Sequence, residues 1–289
     1  MDIQVLLFRK GCARSDKKRD AGLTIPEDVT YISGLKYAGG PENDLHVAYP
    51  KGAGSPLPTI ISFHGGGYVY GSADVYKYYC ASLARRGFTV VNFNYRLAPD
   101  CIFPAPLEDT NAVMEWAIRN KNEFFIDTDN IFIVGDSAGA QLASQYAAIC
   151  TSPEYADIMG IHPPQGFKLR ALGLNCGMYD TSMALGEKNP AISAYFTKKP
   201  EKFGKMLRVL DYINADYPPA FLISSPGDFL LSHCEPMARL INERGGTAEY
   251  RIYGDERTGH VFHVDMRDPY SNAANDDETE FFKKHLSYV

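Results

Sequence analysis

One tight corner limits the folds open to this chain. In "FIVGDSAGAQLA", residues 132–143, a short apolar run ends at Gly135 and helix-like spacing starts directly after Ser137. A strand that turns straight into a helix forces its corner residue into a strained backbone conformation. Side chains two positions either side would collide, so such a corner requires Gly135 and Gly139. It lifts the Ser137 hydroxyl above a sheet edge and aims helix N-terminal amides at whatever lies beside it. That is the geometry of a nucleophile; the alternative is a plain turn with Ser137 capping a helix.

The rest of the chain supplies the sheet. Apolar, β-rich runs occupy residues 29–37, 44–50, 59–63, 88–95, 131–134, 171–176, 220–224 and 248–253. The first two alternate and read as a half-exposed hairpin; the later ones read as buried strands. Helical patterns lie at 75–86, 107–120, 138–150, 234–244 and 278–285. In the third of these, Leu142, Tyr146 and Cys150 repeat every four residues as one apolar stripe. The alternation predicts an α/β fold, a mostly parallel eight-stranded sheet with helices on both faces, in a single domain over residues 1–289. Two regions break it. Residues 1–28 are polar and weakly patterned. Residues 178–218 are too long for a crossover turn, and there Phe203, Met206, Leu207 and Leu210 share a helical face. Both regions are expected to serve as a small cap over the carboxyl edge of the sheet, with simple core packing the alternative for the second.

Composition excludes several functions. With 45% hydrophobic and 22% charged residues in 289, a sizeable core is within reach. The net charge is −6 and the scattered "KKR" at 17–19 is the longest cationic run, which disfavours nucleic acid. The apolar run at residues 5–8 is too short for a secretion signal or a membrane span. Six cysteines at 12, 80, 101, 150, 176 and 234 form no CxxC pair, so neither a metal site nor a disulfide framework is expected. A reduced, cytoplasmic protein follows.

A second glycine-rich stretch, "ISFHGGGYVYGS", places His64-Gly65-Gly66-Gly67 at the end of another predicted strand. Its free amides suit an oxyanion better than a phosphate, because the G-K-[ST] ending and the G-x-G-x-x-G spacing are missing. With "NYRLAPD" (94–100), "FPAPLED" (103–109) and the 135–139 corner, this loop resembles the hormone-sensitive-lipase-like branch of the α/β-hydrolase esterases, from about residue 59 to the C-terminus. The resemblance implies that the amides of Gly66, Gly67 and Ala138 form the oxyanion hole. Asp100 replaces the family's usual glutamate and Ser232 stands where a second acidic residue is frequent; neither change touches the proposed catalytic residues.

A serine hydroxyl needs a base, and the base an orienting carboxylate. In this fold the order is serine, acid, histidine. His162, His233 and His285 are poorly placed, which leaves His260 and His263 in "TGHVFHVD". The family's H-x-F pattern selects His260, with His263 as the rival. Their HxxH spacing lacks the glutamate and third ligand of a metal site. Asp228, just beyond the run at 220–224, is the expected acid; capping the next helix is its bland alternative. Tyr68 and Tyr70 follow the oxyanion loop and could wall the substrate pocket.

The reading is therefore a serine carboxylesterase for short-acyl esters that needs no cofactor, with Ser137, Asp228 and His260 as the triad. A carbohydrate acetyl esterase and a catalytically silent small-ligand receptor are the alternatives. A peptidase of this fold carries a large extra domain for which this sequence has no room. The expected partner is a small ester, with no nucleic acid and no membrane span, and a homodimer would pair through an exposed last strand.

Overall fold

The computed structural model describes residues 2–182 and 189–287. Its centre is five strands, β3 (Leu57–Phe63), β4 (Thr89–Phe93), β5 (Ile126–Asp136), β6 (Leu169–Asn175) and β7 (Ala220–Ser224). Successive residues in a strand point to opposite faces, and here both faces are apolar. Ile60, Val90, Phe132 and Phe221 share a core with α2 (Ala73–Ala84) and α8 (Ser271–Lys284). Their neighbours Ile61, Val91, Ile133 and Leu222 face a second core with α3 (Ala105–Arg119), α4 (Ala138–Thr151), α5 (Pro153–Met159) and α7 (Cys234–Glu243). Continuous apolar runs thus become strands buried on both sides.

Adding β1 (Val29–Lys36), β2 (Asp44–Pro50) and β8 (Ala248–Ile252) gives the order β1-β2-β4-β3-β5-β6-β7-β8. The first pair is an antiparallel hairpin, joined antiparallel to β4; the pairs from β4 through β8 are parallel. The chain leaves β3 for β4 on one side and returns to β5 on the other, which opens a crevice at the carboxyl ends of β3 and β5. Pairing of Phe63 with Gly135 sets the triple-glycine loop beside the serine corner.

Several expectations need correction. Residues 1–28 contain a long helix, α1 (Ile3–Arg19), with a side-chain cap from Asp2. Its own pattern is polar because it covers an opening rather than a core. The final strand is not buried: among the described residues β8 has a neighbouring strand on one side only, and Tyr250 and Ile252 are exposed. The last helix starts seven residues earlier than its apolar pattern, since Ser271, Asn275 and Glu278 bury polar groups. Residues 200–212 form short 3-10 turns interrupted at Gly204 and pack on α4 and α5, while α6 (Pro190–Tyr195) faces the crevice. Part of the predicted cap, residues 183–188, lies outside the described residues.

Phe282 ties α8 to the sheet, its ring stacked on Phe132 at 4.8 Å and edge-on to Phe88 at 6.2 Å. Phe282→Ala is expected to lower unfolding free energy by about 3–5 kcal/mol. Urea titration should show an earlier midpoint with an unchanged slope.

Candidate active site

Ser137 sits at φ 52°, ψ −118°, between the last residue of β5 and the first of α4. A Cβ at Gly135 would lie 2.4 Å from the Gly139 carbonyl oxygen, and one at Gly139 would lie 2.3 Å from that of Phe63. Only glycine permits both approaches. The Ser137 amide donates to the Asn175 carbonyl of β6 at 2.9 Å, which fixes the corner from the other side.

The triple-glycine loop folds tightly over this corner. At Gly66, φ is 114° and a Cβ would fall 2.1 Å from the Tyr70 carbonyl oxygen. His64 is buried beneath, stacked on Tyr95 with centroids 4.1 Å apart, its Nδ1 2.8 Å from the Gly65 carbonyl. Burial pulls its pKa down to about 4, so the ring is a neutral support.

A link that the sequence reading missed joins loop to corner. The Gly65 amide donates to the Tyr76 hydroxyl at 2.9 Å, and that hydroxyl donates to Asp136 Oδ2 at 2.7 Å. Burial drives the Asp136 carboxyl up to about 7, against the lowering effect of the Tyr76 hydrogen bond. Asp136 stood in the quoted motif, but nothing in the spacing pointed to a tyrosine sixty residues earlier.

Asp228 follows β7. Its Oδ2 accepts from the Ser224 hydroxyl at 2.7 Å and its Oδ1 from the Leu230 amide at 2.9 Å. The same Oδ1 lies 2.7 Å from His260 Nδ1. Burial pushes this carboxyl up, but the His260 hydrogen bond and charge, with the two local donors, outweigh it and hold it at about 2. The capping alternative is not met: α7 starts at Cys234 without a side-chain cap, and the Leu230 contact is a local turn two residues on. The loops bearing the two residues are joined by a bridge between Gly227 and Gly259 and by the Ser225 hydroxyl donating to the Thr258 carbonyl at 2.8 Å. Cys176 lies close enough to join Asp228 and His260 in a metal-like cluster. The 2.7 Å spacing is that of a shared proton, however, whereas two ligands of one tetrahedral zinc stand roughly 3.4 Å apart.

The rival His263 is fully buried, edge-on to Tyr79, and among the described residues neither ring nitrogen has a hydrogen-bond partner. Burial lowers its pKa to about 3. It does not line the cavity over the corner, whereas His260 does.

That cavity holds about 520 Å³ and brings together Ser137, Ala138, Gly66, Gly67 and His260, with Tyr68 and Tyr70 in its wall. Tyr68 is stacked on Tyr195 and donates to Gln141 Oε1; the Tyr70 hydroxyl donates to Asp16. The remaining walls come from Phe8, Cys12, Asp16 and Arg19 of α1, Ala191 and Ile192 of α6, and Phe229 and Leu230. The α1 residues leave no clear sequence signal because their inward spacing mixes apolar and polar types. Arg9 holds the helix down through the carbonyls of Val69 and Ala98, at 2.6 and 2.8 Å.

Fold and site together define a hydrolase of the α/β class. The family model described as alpha/beta hydrolase fold matches residues 60–264, and the chain belongs to that family, in its hormone-sensitive-lipase-like esterase branch. It is 28% identical over 242 residues to the versiconal hemiacetal acetate esterase of Dothistroma septosporum, covering 78% of this chain and 71% of that one. Identity to the acetyl esterase of Salmonella paratyphi B is 26% over 249 residues, 80% and 75% of the two chains. Esterase B of Lactobacillus rhamnosis, solved in a tributyrin-phosphonate-inhibited form, superposes with a TM-score of 0.87 at 26% identity, over 98% of this chain and 94% of that chain. The chain is an ester hydrolase.

Two outcomes are expected from the buried polar groups. Tyr76→Phe removes the link between loop and corner and should lower kcat roughly 5–10-fold with KM little changed, the loss expected of one hydrogen bond. Steady-state kinetics on a soluble aryl ester checks it. Glu278, buried in α8 against Asn175 and Tyr79, is like Asp136 raised by burial to about 7. Each binds its proton more tightly folded than unfolded, so its contribution is full below about pH 4 and is lost as pH rises through about 7. Thermal melts of Glu278→Gln should gain on wild type between about pH 5 and pH 8.

Proposed function

We propose that this esterase is a serine carboxylesterase for short-acyl esters, working through an acyl-enzyme on Ser137. The carrying observation is the 2.7 Å bond between Asp228 and His260, with His260 and Ser137 in the wall of one cavity. With Asp228 accepting from Nδ1–H, the His260 Nε2 is left as the base. Ser137 Oγ attacks the ester carbonyl carbon while its proton passes to Nε2. The carbonyl oxygen becomes an oxyanion facing the amides of Gly66, Gly67 and Ala138, a contact worth about 10²–10³ in rate per donor. As the intermediate collapses, the alkoxide leaves with the proton from Nε2. A water then gives its proton to Nε2, its oxygen attacks the acyl carbon, and Ser137 leaves with the proton returned.

Chain length is read from room and relatives. A cavity of about 520 Å³ shared between acyl and alcohol parts, closed by Ala191 and Ile192, suits short chains. Two relatives are acetate or acetyl esterases by name, and the Lactobacillus enzyme was solved in a form inhibited by a tributyrin phosphonate. All six cysteines are free, which fits a reducing cytoplasm. The exposed edge of β8 is the surface on which a second copy would pair.

A panel of aryl esters from acetate to long acyl chains tests the reading, with acetylated sugars as a separate arm. Highest kcat/KM is expected on the short aryl esters; no turnover of any activated ester would favour a silent scaffold. Ser137→Ala should lose on the order of 10⁴-fold or more while its melting curve is kept. His260→Ala should lose far more activity than His263→Ala, and the reverse ranking would reassign the base.

A further inference from the structure

Helix α1 has a second face that the cavity does not use. Ile3, Leu7, Lys10, Arg14 and Lys17 follow one another at spacings of four and three residues, a single stripe along the helix. All five are exposed, Ile3 at 71% and Leu7 at 62%. Leu6 and Lys18 flank the stripe and are exposed as well. Of the eight large apolar side chains exposed among the described residues, four stand on the first two turns of α1 and a fifth, Phe229, at the cavity mouth. Soluble proteins leave such residues clustered where something docks.

The charges on this face have one sign. Lys10, Arg14, Lys17 and Lys18 make no ion pair among the described residues, in a chain whose net charge is −6. Of the nearby acids, Asp16 and Asp20 are bonded to Arg19, and Asp2 caps the helix. The apolar side chains occupy one end of the stripe and the cations the rest. Opposite, Cys12 and Arg19 line the cavity, and the Phe8 ring comes within 3.6 Å of where a Gly67 Cβ would be.

We propose that α1 is a docking surface for an anionic lipid interface. The apolar tip enters the acyl boundary, and the cationic side chains lie against lipid phosphates. Because the inner side of the same helix walls the cavity, docking there brings the mouth, rimmed by Phe8 and Phe229, to the interface. An ester dissolved in the lipid then reaches the cavity without crossing bulk water. A second copy of the chain is the competing occupant, but a self-paired α1 would set two like-charged stripes face to face.

The test is co-sedimentation of the whole chain, as wild type and Ser137→Ala, with vesicles of phosphatidylcholine alone or mixed equally with phosphatidylglycerol. Binding is read without turnover, so it stands or falls separately from the esterase reading. Both proteins should bind the mixed vesicles, release them at high salt, and bind pure phosphatidylcholine about tenfold less. Ile3→Asp with Leu7→Asp, and Lys10→Glu with Lys17→Glu, should each weaken binding by about tenfold while turnover of a soluble aryl acetate stays unchanged, which also shows that the variants fold. Absent binding, binding indifferent to both variants, or a dimer in solution that Leu7→Asp dissolves would overturn the proposal.

Discussion

The close approach of backbone to backbone at Gly139 carries the rest of the site. There the first turn of α4 lies against the Phe63 and His64 carbonyls, with no room for a side chain between them. The contact joins the helix that follows β5 to the end of β3, far apart in sequence, and holds the serine corner against the start of the triple-glycine loop. The strain at Ser137, a non-glycine residue at positive φ, is held by its surroundings: the β6 carbonyl on its amide, β3 on one flank, and the α4 hydrogen bonds beyond.

Around that contact, two electrostatic environments have been made from the same residue type. Asp228 and Asp136 are both buried beneath the cavity, yet one is driven down to about 2 and the other up to about 7. The difference is in the partners. Asp228 accepts from a histidine, a hydroxyl and an amide, so its charge is matched. Asp136 has one tyrosine hydroxyl against the full penalty of burial. The first carboxylate can therefore stabilise a cationic ring, while the second serves as a brace between the loop and the corner.

What the sequence disclosed follows from the kind of signal each feature leaves. Strands buried on both faces read as unbroken apolar runs, and β3, β5 and β7 were visible for that reason. The corner and the loop were legible because close packing tolerates only glycine there. Asp228 and His260 were placed by chain order and local pattern, and the structure sets them in hydrogen-bond contact. Other features left no local trace. The Tyr76–Asp136 link depends on tertiary proximity. The ambiguous α1 pattern reflects two jobs on one helix, since a residue type suited to the cavity alternates with one suited to water. Exposure of β8 followed from its place at the sheet edge, which composition does not encode.

The cavity has another property that comes from where its walls arise in the chain. Phe8 and Arg19 come from the first helix, Ser137 from the middle, and His260 from beyond β8. During synthesis the early helix thus has no completed chamber to cover until the C-terminal third has emerged and docked. Through that interval Ser137 is without the His260 wall of its cavity, so the full set of walls comes together only once segments from both ends of the chain have been made.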